Sequence, residues 1–250
     1  MAPAIGFVVW YAVSYGLLSE RRRFLLPPPH RVIADSVFNP ATGTLGLNLQ
    51  SIAIATLRTG VVALVGLTVA ITIGMSVALA MHRSRLAEQV LYPYAVGIQV
   101  VPVLALVPLI GLWFNFGFLS RVIACVLICL FPVIANAHFG LRTVNQGHQE
   151  LFTLHRATPS QRLFKLELPA ARPAIFSGIR IAAGGAVIGA IVADFFFRQG
   201  APGIGRLMDR YSRDLQTKDL IVAVGFSVAL GLLFFAAVGL VERLTDPHRR

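Results

Sequence analysis

The stretch Glu150–Pro169 reads E-L-F-T-L-H-R-A-T-P-S-Q-R-L-F-K-L-E-L-P. Long apolar runs lie on both sides of it. A segment this charged cannot sit in hydrocarbon between them, so it belongs outside the bilayer core. Its pattern predicts two short helices with a break. The first covers about His148 to Ala157. The second opens at Thr158, with Pro159 at its first position and Gln161 three residues on. That is a capping box with an N1 proline, which satisfies free backbone donors at a helix start. Pro169 is expected to close the segment, because it lacks the N–H of a continuing helix.

The totals agree with a chain that lives in a membrane. Of 250 residues, 56% are hydrophobic and 13% charged, and mean hydropathy is +0.73. Soluble domains carry about 25% charge. Net charge is +11, from 22 basic and 11 acidic residues. In a soluble chain that would suggest nucleic acid. Here the basic residues fall mainly between apolar runs, where they meet lipid headgroups, so no nucleic-acid partner is expected. Cys125 and Cys129 share one helix face. Two thiols alone do not make a zinc site, and they read as packing residues.

The fold class is therefore all-α and polytopic, a single transmembrane domain over 1–250 with about six transmembrane helices. Spans are expected at 4–18, 52–81, 90–114, 120–141, 174–197 and 220–241. The run 4–18 is short for a span of about 20 residues. It has no basic leader and no clear cleavage site. The prolines at 27–29 preclude a helix through them. Residues 82–85 form a short loop. Arg58 lies near one end of its span and can snorkel. The third span contains Gln99, Pro102 and Pro108, groups that need partners inside the protein at membrane depth. Gln99 is read equally as a pathway residue or as a satisfied packing residue. His138 and Asn136 lie toward the end of the fourth span, and His138 reads as a hydrogen-bonded structural residue or a ligand. In the fifth span, Gly178, Gly184, Gly185 and Gly189 permit close helix approach, which places this span centrally. Asp194 is an acid inside a span and a functional candidate by default. Arg198, four residues on, is positioned to pair with it. Residues 203–217 predict an interfacial helix, with Ile204, Leu207, Met208, Tyr211 and Leu215 on one stripe and an Asp209–Arg213 pair on another face.

With these residues in view, the chain resembles the integral membrane permeases of ABC importers. In that family a loop between two spans carries a Glu, a small pair, a glycine, an apolar residue and Leu-Pro at fixed spacing (the EAA loop). Glu150, Leu166, Leu168 and Pro169 match it. Leu151 and Phe152 replace the small pair, and Arg156 replaces the glycine. The words Lys165-Leu166-Glu167-Leu168-Pro169-Ala170-Ala171 and Ile175-Phe176-Ser177-Gly178-Ile179-Arg180-Ile181-Ala182 look like the nitrate/sulfonate/taurine branch. So do L-Y-P-Y-A-V-G-I-Q-V-V-P and L-V-P-L-I-G-L-W-F-N-F-G in the third span, and Phe24-Leu25-Leu26-Pro27-Pro28-Pro29 after the first.

The resemblance implies a type I importer permease of the cell inner membrane. Residues 142–173 would be a cytoplasmic coupling loop gripping an ABC ATPase through Glu150, His155, Arg156, Ala157, Thr158, Pro159, Leu168 and Pro169. A second permease copy or homologue would complete the pathway. An extracytoplasmic solute-binding protein would dock on the opposite face, beside the periplasmic helix 203–217. ATP and magnesium would bind on the ATPase, and no cofactor is expected in this chain. Its branch suggests a small anion or a vitamin precursor as cargo. Gln99, Pro102 and Asp194 are the pathway candidates.

Charge does not orient the chain. About eleven basic residues fall on one side and about ten on the other by the positive-inside count. An odd number of crossings nevertheless separates 142–173 from 199–219. The only lysines are Lys165 and Lys218, and neither lies in a phosphate-binding Gly-Lys-Ser/Thr loop. No H-E-x-x-H or G-x-S-x-G occurs. The chain is therefore expected not to be an enzyme. The competing reading is a stand-alone secondary transporter or channel using Gln99, Asp194 and Arg58.

Overall fold

The computed structural model describes residues 2–17, 19–37 and 47–245. The basic tail and the segment just before the second expected span lie mostly outside them. Among the described residues every regular element is helical. In chain order these are α1 (Ala2–Ala12), α2 (Pro29–Val32), α3 (Leu47–Arg83), α4 (Arg85–Val100), α5 (Val103–Phe114) and α6 (Phe118–Arg142). They continue as α7 (Gln146–Leu154), α8 (Pro159–Arg162), α9 (Leu168–Phe196), α10 (Ile204–Arg213) and α11 (Thr217–Thr245).

Four helical stretches are long and apolar enough to cross a membrane: Leu49–Arg83, Phe118–Arg142, Pro159–Phe196 and Thr217–Thr245. The expected third span is broken. α4 and α5 meet at 99°. Val101 is extended there, and Pro102 caps α5. Proline removes one ladder bond and restricts the residue before it to extended backbone, so the break falls at Val101–Pro102. α1 continues by one wide turn to Leu17. Its apolar part, Ile5–Gly16, is shorter than a span. It folds back on the proline stretch, with Trp10 Nε1 donating to Pro27 O at 3.1 Å and Ser14 Oγ to Leu26 O at 2.9 Å. The described residues thus hold four spans, or five with the bent pair, against about six expected.

α6 is the centre of the bundle. Half of its most apolar window is buried, against 17% for α11, which places α6 inside and α11 at the edge. α6 packs between α3 and α9 through Val62, Leu67, Val122, Cys125, Cys129, Val133, Ala183, Ala186 and Val187. Small residues set the spacing. A Cβ on Gly178 would stand 2.6 Å from Asn136 Cβ and 2.8 Å from Pro132 O. Gly184 differs: open space lies beside it, so the glycines of α9 serve two faces. Cys129 Sγ donates to Ala182 O at 3.2 Å and Cys125 Sγ to Ala186 O at 3.4 Å. Both thiols are packing groups of the α6–α9 seam.

The helix Pro159–Phe196 has 38 residues, about 57 Å at 1.5 Å each. Hydrocarbon is about 30 Å thick. Its first turns therefore project beyond the membrane at one end, and α10 follows at the other. The elbow and α10 are held at opposite ends of the molecule.

Candidate functional site

The elbow between α6 and α9 is built from local signals. Asn145 Oδ1 accepts from Gly147 N at 2.8 Å and starts α7. α7 stops at Leu154, three residues before the expected end at Ala157. Its stop is a Schellman turn. Arg156 N donates to Thr153 O and Ala157 N to Phe152 O, both at 3.0 Å. That motif requires a left-handed residue just past the cap, and Arg156 supplies it with φ 49°. Arg156 stands where the EAA pattern has glycine, which adopts this conformation without a Cβ penalty.

The capping box at Thr158 forms as expected. Thr158 N donates to Gln161 Oε1 at 3.0 Å and Gln161 N to Thr158 Oγ1 at 3.3 Å. Pro159 is at N1. The expected closure at Pro169 does not occur. α8 passes through a wide turn, Leu163–Glu167, directly into α9. Leu168 N bonds to Leu163 O, five residues back. The widened turn falls immediately before Pro169, where a regular turn would press the proline ring on a carbonyl. Pro169 thus sits in the first turn of α9 and bends nothing shut.

The expected elbow residues fall on two sides. Glu150, His155, Arg156, Thr158 and Pro159 are exposed, as is Pro169, while Ala157 and Leu168 are half-buried. Glu150 accepts from Gln146 Nε2 at 3.1 Å and His155 Nδ1 donates to Leu151 O at 2.9 Å. Leu168 packs beside Leu141, Leu163, Ala171 and Leu79 of α3.

Behind the elbow lies a cleft of about 1050 Å³, lined by the ends of α3, α4 and α6 and by Gln149, Arg162 and Glu167. Two ion-pair groups cross it. Glu167 Oε2 accepts from His82 Nε2 at 2.9 Å, and its Oε1 from Arg162 Nε at 3.0 Å. Arg162 also donates to Gln149 Oε1 at 2.7 Å. Glu88 accepts from His138 Nε2 at 3.2 Å and from Arg142. His138 is thus a hydrogen-bonded structural residue.

The far end holds a second buried knot. Asp194 pairs with Arg121 of α6 at 3.1 Å and accepts from Thr59 Oγ1 of α3 at 2.6 Å. The partner is Arg121, not Arg198. Arg121 further donates to the carbonyls of Phe197, Gln199 and Ala201 at 2.9, 2.8 and 3.2 Å. Ile204 N donates to Thr59 Oγ1 at 2.9 Å. The pair therefore ties three spans to the connection that leads into α10. α10 buries Ile204, Leu207 and Tyr211, as its stripe requires. Leu215 leaves the stripe, because the helix ends at Arg213 and Leu215 has φ 55° and is 63% exposed. Arg213 Nε donates to Asp209 Oδ1 at 3.1 Å. Burial, then the nearby Asp219 carboxylate, push the Tyr211 hydroxyl above its ordinary range.

Asp194 is 1% exposed and neutralised by Arg121, so it cannot meet a solute in this conformation. Gln99 is exposed on the last turn of α4, and Pro102 is exposed at the bend. Arg58 is exposed and reaches Pro202 O at 3.5 Å. Asp194 is thus sealed from solvent, while Gln99 and Arg58 are exposed.

Residues 66–247 match the family of binding-protein-dependent transport system inner membrane components. This is most of the chain. The protein belongs to that family. It is a multi-pass ABC permease of the inner membrane. The permease is 33% identical over 187 residues to a formylaminopyrimidine transport permease of Halalkalibacterium halodurans, covering 74% of each chain. It is 36% identical over 179 residues to a probable ABC transporter permease of Haemophilus influenzae, covering 71% of this chain and 72% of that one. A putative aliphatic sulfonates transport permease of Escherichia coli is 32% identical over 242 residues, 96% of this chain and 88% of its own. The fold is shared with the crystal structure of an amino acid ABC transporter with histidines. The TM-score is 0.61 and identity 17%, over 78% of this permease and 94% of that chain.

Sequence reasoning missed most residues of the permease's polar joints, among them Arg121, Glu167 and His82. Each had a signal. Arg121 and Asp194 are opposite charges placed at the same end of neighbouring apolar runs. Glu167 is an acid flanked by Leu166 and Leu168, and His82 closes the run of α3.

Proposed function

We propose that this permease forms the translocation pathway of an ATP-driven importer and is driven through its elbow. The observation that carries this reading is the surface of α7. None of its residues is buried. Leu151 is 50% exposed, Leu154 80% and, in the wide turn after α8, Phe164 67%. Apolar side chains on a polar segment that projects beyond the membrane end suit a protein partner. Glu150, His155, Arg156, Ala157, Thr158 and Pro159 lie on this segment, with Leu168 and Pro169 at its root. A cytoplasmic ABC ATPase, holding ATP and magnesium, covers it. A second permease copy or homologue completes the pathway. An extracytoplasmic binding protein delivers the solute at the α10 end.

The relatives' names include a pyrimidine, aliphatic sulfonates and bicarbonate. The cargo of this permease belongs to that range of small solutes, an anion or a vitamin precursor. Closure of the ATPase on ATP must favour one arrangement of the spans over the other, and the elbow supplies that differential contact.

The test is purification from membranes with the co-expressed ATPase and binding protein. The expected result is a complex whose ATP hydrolysis rises with solute-loaded binding protein. Glu150→Arg or Ala157→Arg should leave the complex assembled and abolish that rise. Wild-type stimulation and uptake in either variant would overturn the drive through the elbow.

A further inference from the structure

The elbow reaches a third place besides the two spans it joins. Glu167 sits in the wide turn between α8 and α9 and is 8% exposed. One of its oxygens is held by Arg162 at the root of the elbow, the other by His82 at the end of α3. Arg162 carries the chain of bonds on to Gln149 of α7. Across the cleft, Glu88 in the first turn of α4 is held by His138 and Arg142 of α6. Residues 82–88, the two helix ends around the α3–α4 turn at Ser84, are therefore bonded to the chain on both sides of the elbow. Packing alone does not require an acid at 167, because Leu163 and Leu166 already fill the interior of that turn. A buried carboxylate with two partners resists separation from either, since parting leaves charge unsolvated. The next element after this turn is α4, which leads to the 99° bend at Val101 and Pro102. A bend with two extended residues, Val101 and Pro102, between two helices is a joint that can change angle while both helices stay rigid.

We propose that Glu167 is the positioning residue that binds the elbow to the α3–α4 turn, so that both move as one body and the motion arrives at the bend between α4 and α5. This rests on the elbow being the ATPase-docking segment, and it adds where the displacement goes. Glu167 and His82 touch no solute in this scheme. They act by keeping α3 in step with α9.

The experiment measures spin-label distances in the complex purified with its ATPase. Labels are placed at exposed Arg83→Cys and Ser160→Cys, while Cys125 and Cys129 are fully buried. In the wild-type background the distance stays the same without nucleotide and with Mg-ATP. In Glu167→Ala it shifts on Mg-ATP by on the order of 5 Å, a one-turn slip of one element past another. His82→Ala reads the same joint from its other side and gives the same shift, which decides the matter where Glu167→Ala fails to assemble. His82→Arg, which keeps a donor on Glu167, restores the fixed distance, an effect that general loss of stability would not produce. A distance that stays fixed in both alanine variants overturns the role of Glu167. So does a distance that already shifts in wild type. Absence of any ATPase from the purified permease overturns the docking reading and this inference together.

Discussion

Arg156 shows how a single residue can depart from a family pattern and still obey its geometry. The Schellman turn at the end of α7 needs φ > 0 at this position, and an arginine there carries a penalty of about 1–2 kcal/mol relative to glycine. Arg156→Gly is therefore expected to stabilise the elbow by about 1 kcal/mol, allowing for the greater freedom of unfolded glycine. Amide exchange at Ala157 should slow accordingly, and unchanged or faster exchange would contradict this. Asp194 makes the opposite case. It is buried against Arg121 and Thr59, and Arg121 in turn holds three carbonyls of the 197–201 connection. Asp194→Ala leaves Arg121 buried without its counter-charge, at a cost of about 3–5 kcal/mol. Thermal unfolding in detergent should show that loss, and a double variant with Arg121→Leu should recover part of it. At this scale the sequence announced that Asp194 was special but not what it touched. A local i,i+4 partner was visible at Arg198. The true partner comes from another span, and spacing along one chain carries no information about that.

At the scale of elements, local chemistry was legible wherever the deciding atoms lie within a few residues. The Thr158–Gln161 box, the N1 proline and the stripe of α10 all rest on short-range rules. Pro169 was misread because its effect depends on the wide turn of 163–167, and a π turn has no firm signature in residue type. The bent pair α4–α5 was visible as a span with two internal prolines, yet its 99° angle was not. Residues 4–18 were expected to span although short for it, and the apolar helix there, Ile5–Gly16, folds back on the proline stretch. The seam between α6 and α9 yields a further prediction. Gly178→Val places branched carbons against Asn136 and Pro132 O, so helix α9 must move off α6. A destabilisation of about 1–3 kcal/mol is expected from overpacking. Detergent unfolding measures it, and a neutral result would show that the seam is looser than its contacts imply.

At the scale of the whole molecule, the organising feature is length. A helix of 38 residues carries the elbow past one membrane face and delivers α10 to the other. The polar joints repeat this division. Glu167 and Glu88 gather the chain at the elbow end, and Asp194 gathers it at the α10 end. Between them lies an apolar bundle whose centre, α6, contacts both. The separation of the two polar segments was legible from the parity of crossings, and the fold class from composition. The joints were not, because each couples residues tens of positions apart. The central claim is that an ATP-hydrolysing subunit sits on the elbow. A photo-cross-linking residue placed at Leu154, the most exposed apolar position of α7, tests it in intact membranes. The account predicts a covalent adduct with an ATP-binding subunit, formed from the cytoplasmic side. Adducts with lipid or with the permease's own helices alone would contradict it.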